Sequence, residues 1–347
     1  MKKIKLFIVT FSLISSAFAQ SQPDLANHAT NECIKEMNKS TDHTVSLYLD
    51  KCKINDKDLS AIFAYAAKHP ELQFISLNEN NIGPEGAKLL ADKLTIKMLY
   101  LNNNHVGPRG AEILAKSKYL TRLALSNNYI GIRGALALGK NPNIWELDVS
   151  GNDIPAKGTL AVVNNPHLIR LNIAGNVVDE SVVSALVNSK QIKELDVSYT
   201  KINFTQMSAI ARSPNLEALG AAGLNLGDKG AKFLAKMTQI KSLTVADNNI
   251  TAEGVAALAQ DQNLAELDIS RNRIGDTGCV SLASANLILY VLYLQDNSIS
   301  KEGAIALANG STTIHELRIN KNNIGPEGVE ALKHSTAVIA FDADQYD

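Results

Sequence analysis

The chain lacks any excess of basic charge, and that alone excludes one class of function. Its 34 Lys and Arg are offset by 35 Asp and Glu, a net charge of −1, whereas nucleic-acid binding needs clustered cations. Reactive motifs are missing as well: there is no Gly-x-Ser-x-Gly elbow, no Gly-rich phosphate loop with its Lys, and no Cys-x-x-Cys. The seven histidines (His28, His43, His69, His105, His167, His315 and His334) share no metal-ligand spacing. No metal, cofactor or catalytic residue is therefore expected, and the chain reads as a non-enzyme. Aromatic residues are scarce, at 5% with a single Trp, so the 45% apolar content must pack mainly as Leu, Ile, Val and Ala. No Gly/Ser-rich linker, charge block or low-complexity tract divides the chain. The two or three domains that 347 residues would ordinarily suggest are not marked.

What is present is a period. Asn80, Asn104, Asn128, Asn152, Asn176, Thr200, Leu224, Asn248 and Asn272 follow one another at 24-residue steps, and Asn297 and Asn322 continue the series at slightly longer ones. Each sits at the ninth place of a frame whose first, fourth, sixth and eleventh places are apolar, as in Leu120, Leu123, Leu125, Asn128 and Ile130. A period of this length means a solenoid. Alternation near the frame's centre turns Leu147 and Val149 one way and Glu146 and Asp148 the other, the pattern of a short strand with one buried side. The ninth-place Asn is expected to turn inward and satisfy backbone groups of adjacent coils. Thr200 and Leu224 break that row, each at a cost on the order of 1 kcal/mol for a lost hydrogen bond. In the second half of the unit, Gly83-Pro84-Glu85-Gly86-Ala87 leads to Leu89, Leu90 and Ala91. Pro and acidic residues fall where a helix starts, and apolar residues three and four apart give a buried helical stripe.

This frame resembles that of leucine-rich repeat proteins. The Gly-x-x-Gly-Ala-x-x-Leu second half (Gly107, Gly110, Ala111 and Leu114; Gly227, Gly230, Ala231 and Leu234) is similar to the ribonuclease-inhibitor-like subclass in a compact bacterial form with shorter helices. The resemblance spans residues 44–336 in about twelve units, mostly of 24 residues, starting with an irregular one at Leu47, Leu49, Cys52 and Ile54. It implies an α/β solenoid, a horseshoe with short parallel strands on its concave face and short helices on its convex face.

The ends read differently. Lys2, Lys3 and Lys5, the apolar residues 6–14 and Ala17-Phe18-Ala19 are the pattern of a signal peptide over residues 1–19. The mature chain is then expected to be secreted or periplasmic, with no membrane span. Without the three leader lysines, 31 basic residues face 35 acidic ones, a net of −4. Residues 20–43 form an N-terminal helical cap, and 337–347 a final strand with an acidic tail. A disulfide between Cys33 and Cys52 would staple the cap to the first coil in an oxidising compartment. Alternatively, Cys52 simply fills the ninth place. Cys279 stands where other units have Ala or Val and reads as a buried small hydrophobe.

A partner would meet the third and fifth places, which project from the strands. These places hold Phe74, Met98 and Tyr100, an apolar group near one end. Arg122, Glu146, Asp148, Arg170, Glu194 and Asp196 follow as a mixed-charge stripe, in which Arg122 and Arg170 can pair with Glu146 and Glu194 across strands. Glu266, Asp268, Tyr293 and Arg318 lie further along, with Tyr290, Val291 and Tyr293 as a second aromatic group. Trp145 flanks this surface. The expected function is protein binding by a monomer through its concave sheet, in host or envelope protein interaction. The alternative is a macromolecular inhibitor of an enzyme.

Overall fold

The computed structural model describes residues 30–39 and 45–343. The expected signal peptide at 1–19 lies outside them, as do most of the expected cap at 20–43 and the tail beyond residue 343. The chain divides into two compact units, the first ending at Ile192 and the second beginning at Lys193.

The first unit opens with helix α1 (Thr30–Lys39), followed by β1 (Ser46–Tyr48) and α2 (Leu59–Lys68). The same alternation continues through β2 (Phe74–Ser76), α3 (Pro84–Lys93), β3 (Met98–Tyr100), α4 (Gly107–Leu114), β4 (Arg122–Ala124) and α5 (Gly131–Leu138). It ends with β5 (Glu146–Asp148), α6 (Ala156–Val163), β6 (Arg170–Asn172) and α7 (Glu180–Asn188). The strands β1 to β6 are parallel and in sequence order, with Leu47, Ile75, Leu99, Leu123, Leu147 and Leu171 in register. All six are buried. They form one apolar row, each side chain stabilising the fold by about 1.5–3 kcal/mol. The helices turn Ala87, Ala111, Ala135 and Thr159 and, one turn on, Leu90, Leu114, Leu138 and Val162 into the same core.

The second unit repeats the plan. Its elements are β7 (Glu194–Asp196), α8 (Phe204–Ala211), β8 (Ala218–Gly220), α9 (Gly227–Leu234), β9 (Ser242–Thr244) and α10 (Ala252–Leu258). They continue as β10 (Glu266–Asp268), α11 (Gly275–Ala283), β11 (Ile288–Tyr293), α12 (Lys301–Ala308), β12 (Thr313–Arg318), α13 (Gly325–Lys333) and β13 (Val338–Asp342). All its strands are parallel, and Leu195, Leu219, Leu243, Leu267, Leu292, Leu317 and Phe341 share a register. Cys279 is buried and unbridged, and burial pushes its thiol up to about 12.

Asn residues hold the coils together. Asn152 is fully buried. Its Oδ1 accepts the N–H groups of Asn128 (2.9 Å) and Ile130 (3.2 Å) in the coil before. Its Nδ2 donates to the carbonyls of Leu125 (2.7 Å), Val149 (3.0 Å) and Ser150 (2.9 Å). Asn80, Asn104, Asn128, Asn248 and Asn322 bond in the same way. The two breaks cost less than the sequence suggests: Thr200 Oγ1 donates to Val197 O at 2.7 Å, and Leu224 replaces the amide with a buried apolar side chain.

A second polar row runs at the seventh place. Asp50 accepts from Asn78 N, Asn78 Oδ1 from Asn102 N, and Asn102 Oδ1 from Ser126 N, each at 2.8 Å; the hydroxyls of Ser126 and Ser150 then meet at 2.9 Å. Helix starts are also tied between coils. Asp228, in α9, accepts from Thr251 N (2.8 Å) and Gly254 N (3.0 Å) at the head of α10, and Asp276 does the same for Ser300 and Gly303 at α12. A carboxylate at a helix N-terminus satisfies N–H groups that have no intrahelical partner. Gly254 makes this approach possible, since a Cβ there would stand 2.5 Å from Asp228 Oδ1.

Cys33 and Cys52 are joined in a disulfide, with Cα atoms 6.0 Å apart. Cys52 is also the ninth-place residue of the first coil, so the two alternatives meet in one residue: where later coils have Asn, this coil has the bridge to α1.

Candidate functional site

Because strands alternate, the third and fifth places of every coil leave the core and form the strand face. All thirteen residues expected to contact a partner lie there, but they are not equally open. Phe74 (7% exposed), Glu146 (5%) and Glu266 (3%) are covered by their neighbours. Met98, Tyr100, Arg122, Asp148, Arg170, Glu194, Asp196, Asp268, Tyr293 and Arg318 are half-buried.

In the first unit, Phe74 is set diagonally between two tyrosines, with its ring 5.2 Å from Tyr48 and 4.9 Å from Tyr100, both edge-on. Such aromatic pairs add about 0.5–1.5 kcal/mol beyond burial. Tyr48 belongs to the irregular first coil at the fifth place. Its position in the frame is the one sequence signal that marks it as part of this face. Burial, with the Glu146 carboxylate nearby, raises the Tyr100 hydroxyl well above the ordinary tyrosine value.

The charged ladder centres on Glu146. Arg122 pairs with Glu146 as expected (3.4 Å), and Arg170 also reaches that carboxylate (3.5 Å). Their guanidinium groups lie 4.5 and 5.6 Å from the Trp145 ring, so one indole and one carboxylate hold both cations. Burial outweighs the two arginines and raises Glu146 above its usual value. Glu146 is therefore an internal strut, with Arg122 and Trp145 as the groups a partner would reach.

In the second unit, Glu266 Oε2 accepts from Ser242 Oγ at 3.1 Å. Asp268 accepts from Ser270 N (2.9 Å) and Oγ (2.7 Å). Arg318 is paired with Glu316 and with Asp342 (2.8 Å). Tyr293, raised above the ordinary value by burial and then by Glu316 and Asp268, faces this group. Tyr290, expected beside Tyr293, instead packs against His315 at 5.2 Å, because second-place residues follow a different row from the third and fifth. One contact has no sequence signal: Arg271 donates to Tyr199 Oη at 2.6 Å, across 72 residues. The Tyr199 ring lies over Gly223, where φ is +65° and a Cβ would stand 2.3 Å from the ring.

Burial raises both Asp196 and Asp268 above 3.8, more than their serine hydrogen bonds lower them. A carboxylate with a raised folded pKa disfavours the folded state once ionised. Asp268→Asn should therefore raise the melting temperature at pH 7. The gain should shrink as pH falls through the raised value and vanish below 3.8, where both forms are neutral. Thermal melts from pH 3 to 8 measure this, and a pH-independent difference would refute the account.

Among the described residues no group of three or more His, Cys, Asp and Glu is placed to hold a metal ion, and no helix is long and apolar enough to cross a membrane.

Six stretches, residues 69–91, 116–139, 236–259, 260–283, 286–308 and 310–333, match the family model described as Leucine Rich repeat. No curated protein matches the chain. Among solved structures, the chain is similar to an internalin from Listeria monocytogenes str. 4b F2365, at 17% identity and a TM-score of 0.50, over 91% of this chain and 95% of that one. It is also similar to the yeast Rad7 and Elc1 complex, at 14% identity and a TM-score of 0.53, over 90% and 88%. At such identities the likeness concerns the fold. The repeating strand, inward Asn and short helix, the six stretches that match the leucine-rich repeat model and these neighbours agree on the fold: an α/β leucine-rich repeat solenoid.

Proposed function

We propose that the chain is an exported, non-catalytic protein-binding module, secreted or periplasmic, that meets its partner with its strand face. Leucine-rich repeat proteins are in general protein-interaction modules, and the bacterial, ribonuclease-inhibitor-like character of the repeats belongs to the same reading. Export is supported by the leader pattern at residues 1–19 and by the Cys33–Cys52 disulfide, a bond that persists in oxidising compartments. The observation that carries partner binding is the first unit's face. Tyr48, Met98 and Tyr100, half-exposed around the Phe74 ring, stand beside Arg122 and Trp145. Tyr, Trp and Arg are the residues that anchor interfaces disproportionately. Role and compartment are in this reading those of a host or envelope interaction.

The test is affinity purification with the exported chain and with Tyr100→Ala/Arg122→Ala, using Tyr293→Ala for the second unit. Loss of a buried anchor costs about 2 kcal/mol, roughly 30-fold in affinity, so the variant should fail to retain the partner. Recovery of the same partner in equal yield by all three proteins would sink the assignment. A second reading, an inhibitor that covers a basic enzyme surface, is favoured by the carboxylates Glu194, Asp196 and Asp268 on the second unit's face. It requires stoichiometric loss of the partner's activity on binding.

A further inference from the structure

The helix side of the first unit carries a feature that the strand-face reading does not use. Between α4 and α5 lies an open groove of about 500 Å³, inside the roughly 300–1,000 Å³ range of clefts that bind ligands. Its floor is apolar: Ala115, Leu136 and Ala137 line it, and Ile132 stands beside them 39% exposed. The equivalent rows in most coils alternate with polar residues; here the floor is continuous because Ile132, Leu136 and Ala137 fall at i, i+4 and i+5 on one helix, against Ala115 of the coil before.

Charge around the groove is predominantly positive. Lys116 and Lys140 occupy the same place in successive coils, both exposed, at the C-terminal ends of the two helices. The lone carboxylate of the lining, Glu112, is taken by Arg133 at 2.7 Å, and that hydrogen bond lowers the Glu112 pKa. Three cations thus surround one engaged carboxylate, a local excess of positive charge in a chain whose net charge is −1. An apolar floor between lysines complements an amphipathic helix with leucine-like side chains on one face and carboxylates flanking them. We propose that this groove is a second protein-docking surface and accepts an acidic amphipathic helix from a partner, independently of the strand face. The apolar side chains enter between α4 and α5, and the partner's carboxylates meet Lys116 and Lys140.

The proposal is tested on the full chain by fluorescence anisotropy. The probe is a fluorescein-labelled helix-forming peptide of Leu and Glu, with Leu at i, i+3, i+4 and i+7. Its Leu/Lys counterpart and vesicles of anionic phosphatidylglycerol serve as comparisons. The acidic peptide should bind saturably and more weakly as salt rises. Lys116→Glu/Lys140→Glu should weaken it about tenfold, and Ile132→Ser should weaken it with all charges unchanged. Tyr100→Ala, on the strand face, should leave it untouched. Lys116, Ile132 and Lys140 are exposed, and a thermal melt of each variant, Tyr100→Ala included, checks that folding is retained. Equal affinity of wild type and groove variants, equal binding of the Leu/Lys peptide, or capture by vesicles without peptide binding would each overturn it. Loss through Tyr100→Ala alone would assign the peptide to the strand face and refute a second surface.

Discussion

Asn152→Ala is expected to destabilise the protein by about 3–4 kcal/mol, more than most single truncations of a polar side chain. The amide accepts from two N–H groups of the preceding coil and donates to three carbonyls. Each hydrogen bond contributes about 1 kcal/mol net, and stranding a buried partner costs about 1–3 kcal/mol. Alanine leaves the N–H groups of Asn128 and Ile130 and the carbonyl of Leu125 facing an apolar gap that water reaches poorly. Several of these groups share donors or acceptors, which is why the sum stays below five full bonds. Asn127→Gly is the matched control. Asn127 is exposed, its Nδ2 bonds only to Asn103 Oδ1 (2.8 Å), and glycine keeps its left-handed backbone (φ +53°) without strain. Chemical denaturation of both variants checks the pair. A loss below 1 kcal/mol for Asn152→Ala would mean that solvent or backbone shifts replace the ladder.

Cys33→Ser/Cys52→Ser should cost about 3 kcal/mol. The two residues are 19 apart in sequence, and opening a loop of that size returns entropy to the unfolded chain. In a solenoid each coil is covered by its neighbours, and the first has none on one side. The bridge holds α1, with its buried Cys33 and Met37, against that coil. Reduction of the wild type should reproduce the loss, and reduction of the double variant should change nothing. If oxidised and reduced wild type melt at the same temperature, the staple contributes no stability and α1 is held by packing alone.

Much of this molecule was legible because each coil repeats its chemistry. The apolar first, fourth, sixth and eleventh places placed the core, the ninth-place Asn announced the ladder, and alternation picked out which residues leave the core. What repetition could not show was where side chains that leave the core come to rest. Glu146 takes both Arg122 and Arg170, whose guanidinium groups lie against the Trp145 ring, a convergence that no single repeat spells out. The seventh-place row from Asp50 to Ser150 was hidden because Asp, Asn and Ser all serve it. The caps from Asp228 and Asp276 were hidden because they join one coil's helix to the next, a relation that no single repeat contains.

The division follows from distance along the chain. A pattern renewed every 24 residues is imposed by neighbours that are always the same, so the sequence alone determined strands, short helices, core and ladder. The strand face has no such fixed neighbour. Rotamers there settle among several partners of similar energy, so burial of Glu146 and Glu266 and the reach of Arg271 to Tyr199 were decided only when the coils stacked, as was, on the helix side, the open groove beside Lys116 and Lys140.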